Sequence, residues 1–191
     1  MNVRTLSVCL LFACAGFAEE VEVVVSSYAV FNPKNGHYYE FVAERELTFP
    51  EAKASAESRT LVTKDGKRLQ GYLATLTEEH EQELLDKHFT ADPTVHTDVW
   101  VGASDEAVDD EWRWVAGPEA KMDGGKGLLF FKDGKPKGYV NWRPKEPNNS
   151  RGIEKFMQWN HYLQEGEIPG TWNDQPIDKS GSKGYFAEYG Q

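Results

Sequence analysis

From residue 103 to residue 184 the chain is rich in Gly, Pro, Asn and Asp, and no cysteine follows Cys14 to staple that stretch. Loops of such length are uncommon in a compact domain unless they carry function or something holds them. With disulfides ruled out by the cysteine positions, a bound cation is the obvious candidate for ordering them. The chain has 191 residues, 39% of them apolar and 27% charged, enough for one ordinary domain with a buried core. Its 31 acidic and 21 basic side chains give a formal charge of −10. That balance argues against a nucleic-acid partner, because no basic stripe is present for phosphate. It argues equally against an anionic membrane surface.

Residues 1–18 read as a signal peptide, with Arg4 as a short positive region and an apolar run from Leu6 to Ala18. That run is too short to span a bilayer comfortably, and no later run approaches membrane length. A secreted, extracytoplasmic protein is therefore expected. Both cysteines, Cys9 and Cys14, lie in this segment, so the expected mature chain has no disulfide. Leu11-Phe12-Ala13-Cys14 also looks like a lipoprotein cleavage site, with a lipid anchor at Cys14 as the alternative.

Residues 19–27 form an N-terminal segment, and 28–191 read as the folded domain. Val21 to Val25, Tyr28 to Phe31 and His37 to Val42 are β-like, with a turn at Asn32 to Gly36. Thr48-Phe49-Pro50-Glu51 opens a helix with a capping box, and the helix runs to about Arg59. A second helix is expected from Thr77, with Glu78 and Glu79 in its positive first turn and Lys87 and His88 in its last. Lys-Asp-Gly-Lys occurs at 64–67 and again at 132–135, and both read as hairpin turns. Val99 to Gly102, Trp112 to Val115, Leu128 to Phe131 and Tyr185 to Tyr189 are further short strands, so the fold class is α+β.

The loop region holds Glu146-Pro147-Asn148, then Glu154, then Trp172-Asn173-Asp174. Calcium takes six to eight oxygen ligands at flexible distances. Two Glu, one Asp and two Asn side chains offer five, and a divalent cation would nearly neutralise the three carboxylates. Acidic and Asn residues are also common in solvated loops, and spacing alone does not separate the two readings.

The order of segments does more. Trp100-Val101-Gly102, Glu111-Trp112-Arg113-Trp114, Asn141-Trp142, Glu146-Pro147-Asn148-Asn149-Ser150, Trp172-Asn173-Asp174 and Gly184-Tyr185-Phe186-Ala187-Glu188-Tyr189 follow one another along the chain. In that order, over residues 28–191, the chain resembles a C-type lectin domain. The resemblance implies two helices packed on small antiparallel sheets with a long calcium-binding loop region. It also implies that Ca2+ is held by Glu146, Asn148, Glu154, Asn173 and Asp174, with Pro147 in a cis peptide. The same side chains would hydrogen-bond two vicinal hydroxyls of a sugar. Glu-Pro-Asn goes with mannose, fucose and N-acetylglucosamine type ligands in that family.

Two departures matter. The family's cysteines are absent. The positions of a second calcium site hold Asn149 and Lys155; Asp105 and Asp109 are possible remnants of it, but a lysine at a ligand position opposes calcium. Trp100, Trp112, Trp114 and Trp142 are expected in the core, while Trp159 and His161 are open between packing and sugar contact. The histidines show no zinc spacing, and His80 and His88 suit solvated or capping roles. No nucleophile elbow or phosphate loop is present, and no enzyme activity is expected. A glycosidase pair among so many acids is not testable from sequence. Asn148-Asn149-Ser150 matches a glycosylation sequon, but a glycan there would block the proposed contact. The expectation is a calcium-dependent carbohydrate-binding protein. The alternative is a calcium-stabilised adhesion or structural module that binds protein.

Overall fold

The computed structural model describes residues 23–25, 28–90, 98–160, 168–177 and 182–190. The expected signal peptide, both cysteines and His161 lie outside the described residues. The described residues open with β1 (Val23–Val25), β2 (Val30–Phe31) and β3 (Tyr38–Val42), followed by helix α1 (Phe49–Glu57). The capping box forms as read: Glu51 Oε2 accepts from the Thr48 amide at 2.8 Å, and the Glu51 amide donates back to Thr48 Oγ1 at 3.4 Å. Phe49, Ala52 and Ala56 fall three and four residues apart and make the helix's buried face. That face packs among Trp100, Leu73, Ala187 and Tyr189.

Next come β4 (Arg59–Val62) and β5 (Arg68–Leu73), joined by the first Lys-Asp-Gly-Lys turn, and helix α2 (Glu79–Phe89). The helix starts two residues later than its sequence suggests. The buried Glu81 carboxylate accepts from the Thr77 and Glu78 amides at 2.7 and 2.9 Å, and Glu78 stays extended. The remaining strands are β6 (Val99–Ser104), β7 (Glu111–Trp114), β8 (Leu128–Lys132), β9 (Lys135–Pro136), β10 (Phe156–Trp159), β11 (Trp172–Gln175) and β12 (Gly184–Tyr189). The second Lys-Asp-Gly-Lys turn joins β8 to β9.

The strands run in the order β1-β4-β5-β12-β6-β7-β8-β9, with β3 also on β12, and β10 bridging β6 to β11. Most pairs are antiparallel, but β12 lies parallel to β6, with Tyr185 opposite Trp100, and β1 lies parallel to β4. Neither pair is joined by a tight hairpin, so nothing forces these two pairs into the antiparallel direction that the resemblance implied for the sheets. β10 and β11 are a second correction, because they lie in the stretch read as loop. All four residues of β10 are buried, so neither face shows the polar alternation that marks a half-exposed strand.

The aromatic core is continuous. Trp100, Trp112, Trp114, Trp159 and Trp172 are at most 1% exposed. Trp159 packs edge-on against Phe186 at 5.3 Å, which assigns it to packing. Trp142 is only partly buried, a correction to its expected core place: it lies over Trp112 at 4.9 Å and Trp172 at 5.8 Å.

Candidate functional site

Strand β11 and the loop 141–155 build the site. Two backbone bonds fix the loop's start beside the strand: Trp172 N to Asn141 O at 2.8 Å, and Arg143 N to Trp172 O at 2.9 Å. The Glu146–Pro147 peptide is cis. Lys145, Asn149 and Arg151 then take positive φ values of 77°, 45° and 59°. The left-handed region costs an L residue about 1–2 kcal/mol, so contacts must impose this path.

Those contacts come from carboxylates. Asp174, fully buried on β11, accepts from the Asn148 amide at 3.1 Å (Oδ1) and the Asn149 amide at 2.6 Å (Oδ2). Glu154 Oε2 accepts from the Ser150 amide at 3.0 Å. Asn173, the preceding residue of the strand, accepts through Oδ1 from Arg143 Nη2 at 3.2 Å. Adjacent strand residues project to opposite faces, and the loop meets both, so it wraps the edge of β11 that β10 leaves open.

The fold thus brings Glu146, Asn148, Glu154, Asn173 and Asp174 into one neighbourhood, with Asn148 exposed and Asn173 and Asp174 buried. The carboxylates feel one another. Burial raises the Asp174 pKa, the Asn149 and Asn148 amides oppose that, and the Glu146 charge adds to it. Burial also raises Glu154, the Ser150 amide opposes, and Asp174 and Glu146 add to the rise. Glu146 has one oxygen, Oε1, on Arg143 Nη2 at 2.9 Å, while Oε2 is buried with no hydrogen-bond partner. A buried carboxylate oxygen without a donor costs free energy unless a ligand or ion satisfies it. Among the described residues no three His, Cys, Asp or Glu side chains form a metal cluster. A cation here would therefore draw on the Asn carbonyls as well. An all-oxygen set of that kind suits a hard cation such as calcium.

Among the neighbouring acids Asp105 Oδ1 is likewise buried without a hydrogen-bond partner, but a lysine stands beside them. Lys155 pairs with Asp109 and lies 3.8 Å from Asp105 Oδ2, and Asn149 Nδ2 donates to Asp109 Oδ1 at 3.0 Å. Asp105 is 2% exposed, and burial pushes its carboxyl up to about 6 despite the Asp110 amide and Lys155. Here a lysine ammonium stands among the acids. The residue that the sequence did not single out is Arg143; its position three residues before Glu146 was the available signal.

A cavity of about 320 Å3 lined by Asn35, His37, Thr63, Asp65, Lys67 and Gly190, among others, lies elsewhere, and none of the five candidate residues lines it.

Comparison with known proteins adds to this. A family model described as the lectin C-type domain matches residues 63–180. Halomucin of Haloquadratum walsbyi is 37% identical over 168 residues, which are 84% of this chain and 2% of Halomucin. Because the chain spans so little of that relative, nothing of Halomucin's wider role transfers. Among solved structures, the C-type lectin CEL-I from Cucumaria echinata aligns with a TM-score of 0.53 at 19% identity, over 81% of this chain and 90% of CEL-I. The cow carbohydrate-recognition domain of CD23, determined in the presence of GlcNAc2Man3 oligosaccharide, gives 0.53 at 21%, over 84% and 91%. Likeness at these identities speaks to the fold.

Proposed function

The chain belongs to the C-type lectin domain family, and from that premise we propose that it is a secreted, calcium-dependent carbohydrate-binding protein of mannose-type preference. The observation that carries this reading is Glu146 Oε2, a buried carboxylate oxygen without a hydrogen-bond donor. It sits beside Asp174 and Glu154, whose pKa values are raised by burial and in part by the Glu146 charge. Glu146, Asn148, Glu154, Asn173 and Asp174 would hold the ion. Calcium supplies, when bound, charge and open coordination positions for two vicinal hydroxyls of a sugar.

This chain's own residues would then orient the diol. Glu146 accepts a hydroxyl proton, and the exposed Asn148 amide donates to a hydroxyl oxygen. Asp174 holds the Asn148 and Asn149 amides and so sets where the Asn148 side chain starts. The Glu-Pro-Asn order, the cow CD23 domain determined with a mannose-containing oligosaccharide and the lectin CEL-I support a sugar ligand. Lys155 between Asp105 and Asp109 supports a single tight ion. No catalytic step is part of this reading.

The test is retention on immobilised mannose with calcium and elution by chelator. Retention that ignores the chelator, or no retention on mannose, fucose or N-acetylglucosamine resins, would remove the sugar reading.

A further inference from the structure

Arg143 touches two of the candidate ligands, which lie on different elements. Its Nη2 donates to Glu146 Oε1 in the loop at 2.9 Å and to Asn173 Oδ1 on β11 at 3.2 Å. Its backbone is tied to the same strand, through the amide that donates to Trp172 O at 2.9 Å. The Glu146 amide in turn donates to Arg143 O at 2.9 Å. The guanidinium therefore sits in a short rigid frame, 25% exposed, against a Glu146 side chain that is 5% exposed.

We propose that Arg143 is the positioning residue of this site, pinning Glu146 and Asn173 together so that Glu146 Oε2 faces a cation. The proposal rests on the reading of these residues as a cation site. The geometry gives it content. A carboxylate has two oxygens, and Arg143 occupies one, leaving Oε2 buried and unpartnered. A carbonyl oxygen has two lone pairs, so Asn173 Oδ1 accepts from Arg143 and keeps one for an ion. A planar guanidinium is suited to holding two acceptors at fixed directions, where a lysine is a mobile point charge. Without this clamp, the loop from Lys145 to Arg151, with its left-handed residues, loses its only described tie between Glu146 and Asn173.

Arg143 exerts two opposed effects, and their balance decides the test. Its charge repels a divalent ion, so removing it would tighten binding if Coulomb repulsion were the main effect. Its hydrogen bonds orient two ligands, so removing it would weaken binding if orientation were the main effect. Residues that orient metal ligands typically change affinity by about 10- to 100-fold. We expect orientation to win.

The experiment is calorimetric titration of calcium alone into the full chain, its Arg143→Gln variant and its Arg143→Lys variant, with melting curves of each in chelator. The expected result is a calcium affinity at least about 10-fold weaker in Arg143→Gln. Arg143→Lys should fall between that variant and the wild type, and melting in chelator should change far less than affinity. Calcium binding by Arg143→Gln that equals or exceeds wild type would overturn the proposal. So would wild-type affinity in Arg143→Lys, since the guanidinium's fixed fork would then not be needed to orient the two ligands. A wild type that binds no calcium would instead remove the cation site itself. If Arg143→Gln does not fold, Arg143→Lys alone decides: affinity weaker than wild type supports the clamp, and wild-type affinity overturns it.

Discussion

Glu81 and Glu188 are 3% and 2% exposed, as deeply placed as Asp174 at 0%, yet the two acidic clusters are satisfied in different ways. Glu81 Oε1 accepts from Asn35 at 2.9 Å and Tyr39 at 2.6 Å, and Oε2 from the Thr77 and Glu78 amides. Glu188 Oε1 meets His37 Nδ1 at 2.6 Å and Tyr39 at 3.0 Å, and Oε2 accepts from the Thr75 amide at 2.9 Å. Every carboxylate oxygen there has a protein donor. At the loop, Asp174 is equally well served, but Glu146 Oε2 has none. A buried acid fully paired with the chain's own donors is finished by folding, and one left short beside other candidate ligands has an oxygen to offer an ion, whereas Asp105, also short at Oδ1, has Lys155 nearby. The difference separates a structural network from a binding site without appeal to acid content, which is high in both.

The largest effect should come from the finished cluster. Glu188→Ala leaves the Thr75 amide and His37 without this acceptor, while Tyr39 keeps Glu81, and removing one member of a buried charged network costs about 3–5 kcal/mol. Urea unfolding should show that loss equally with calcium or with chelator. A calcium-dependent loss would merge the two clusters into one.

At the loop the stabilisation should depend on the ion. Calcium at a hundredfold excess over Kd should add about 2.7 kcal/mol to wild-type stability. Asp174→Asn should abolish that increment and cost about 1 kcal/mol more in chelator, since an amide accepts from only one of the two backbone donors. An increment surviving in Asp174→Asn would place the ion elsewhere.

Exchanging the two loop side chains, Glu146→Gln with Asn148→Asp, keeps oxygen ligands and charge but swaps the donor and acceptor sides. Mismatched polar groups in such a site cost about 1–3 kcal/mol each. Mannose-type retention should disappear while calcium still binds. Wild-type sugar preference in the double variant would move the contact away from these residues.

The smallest effect is in pH. The hydrogen bond to Glu188 raises the His37 pKa, partly offset by burial, and the Glu188 charge adds to the rise. A folded pKa above the unfolded one means this contribution is complete below about 6.5 and is lost as pH rises through the folded value. His37→Asn should flatten a slope worth under about 1 kcal/mol, as is usual for a partly exposed pair. The loop should run the other way. Its carboxylates must be ionised to bind, so calcium affinity should fall as pH drops into the carboxylate range. A slope of the same sign at both clusters, read from melting curves with and without calcium, would erase the distinction.

Much of this was legible before the structure. The capping box at Thr48 and the Lys-Asp-Gly-Lys turns are local, so residue chemistry suffices to place them. The Glu-Pro-Asn and Trp-Asn-Asp segments name the candidate ligands, and the fold brings them to one strand edge. What stayed hidden was tertiary. β10 and β11 are buried on both faces, so no alternation marks them, and Asn173-Asp174 reads as loop chemistry. Which of 31 acids are buried, and that Arg143 bridges two candidates while Lys155 sits among two others, depends on which segments meet in space.

The central claim is that the acids at the loop, unlike those around Tyr39, await a cation. Calorimetric titration of calcium into the wild type and Glu146→Ala tests it most directly. The account predicts one saturable ion per wild-type chain and a large loss of affinity in Glu146→Ala. A wild-type titration with no saturable binding, or undiminished affinity in Glu146→Ala, would contradict it.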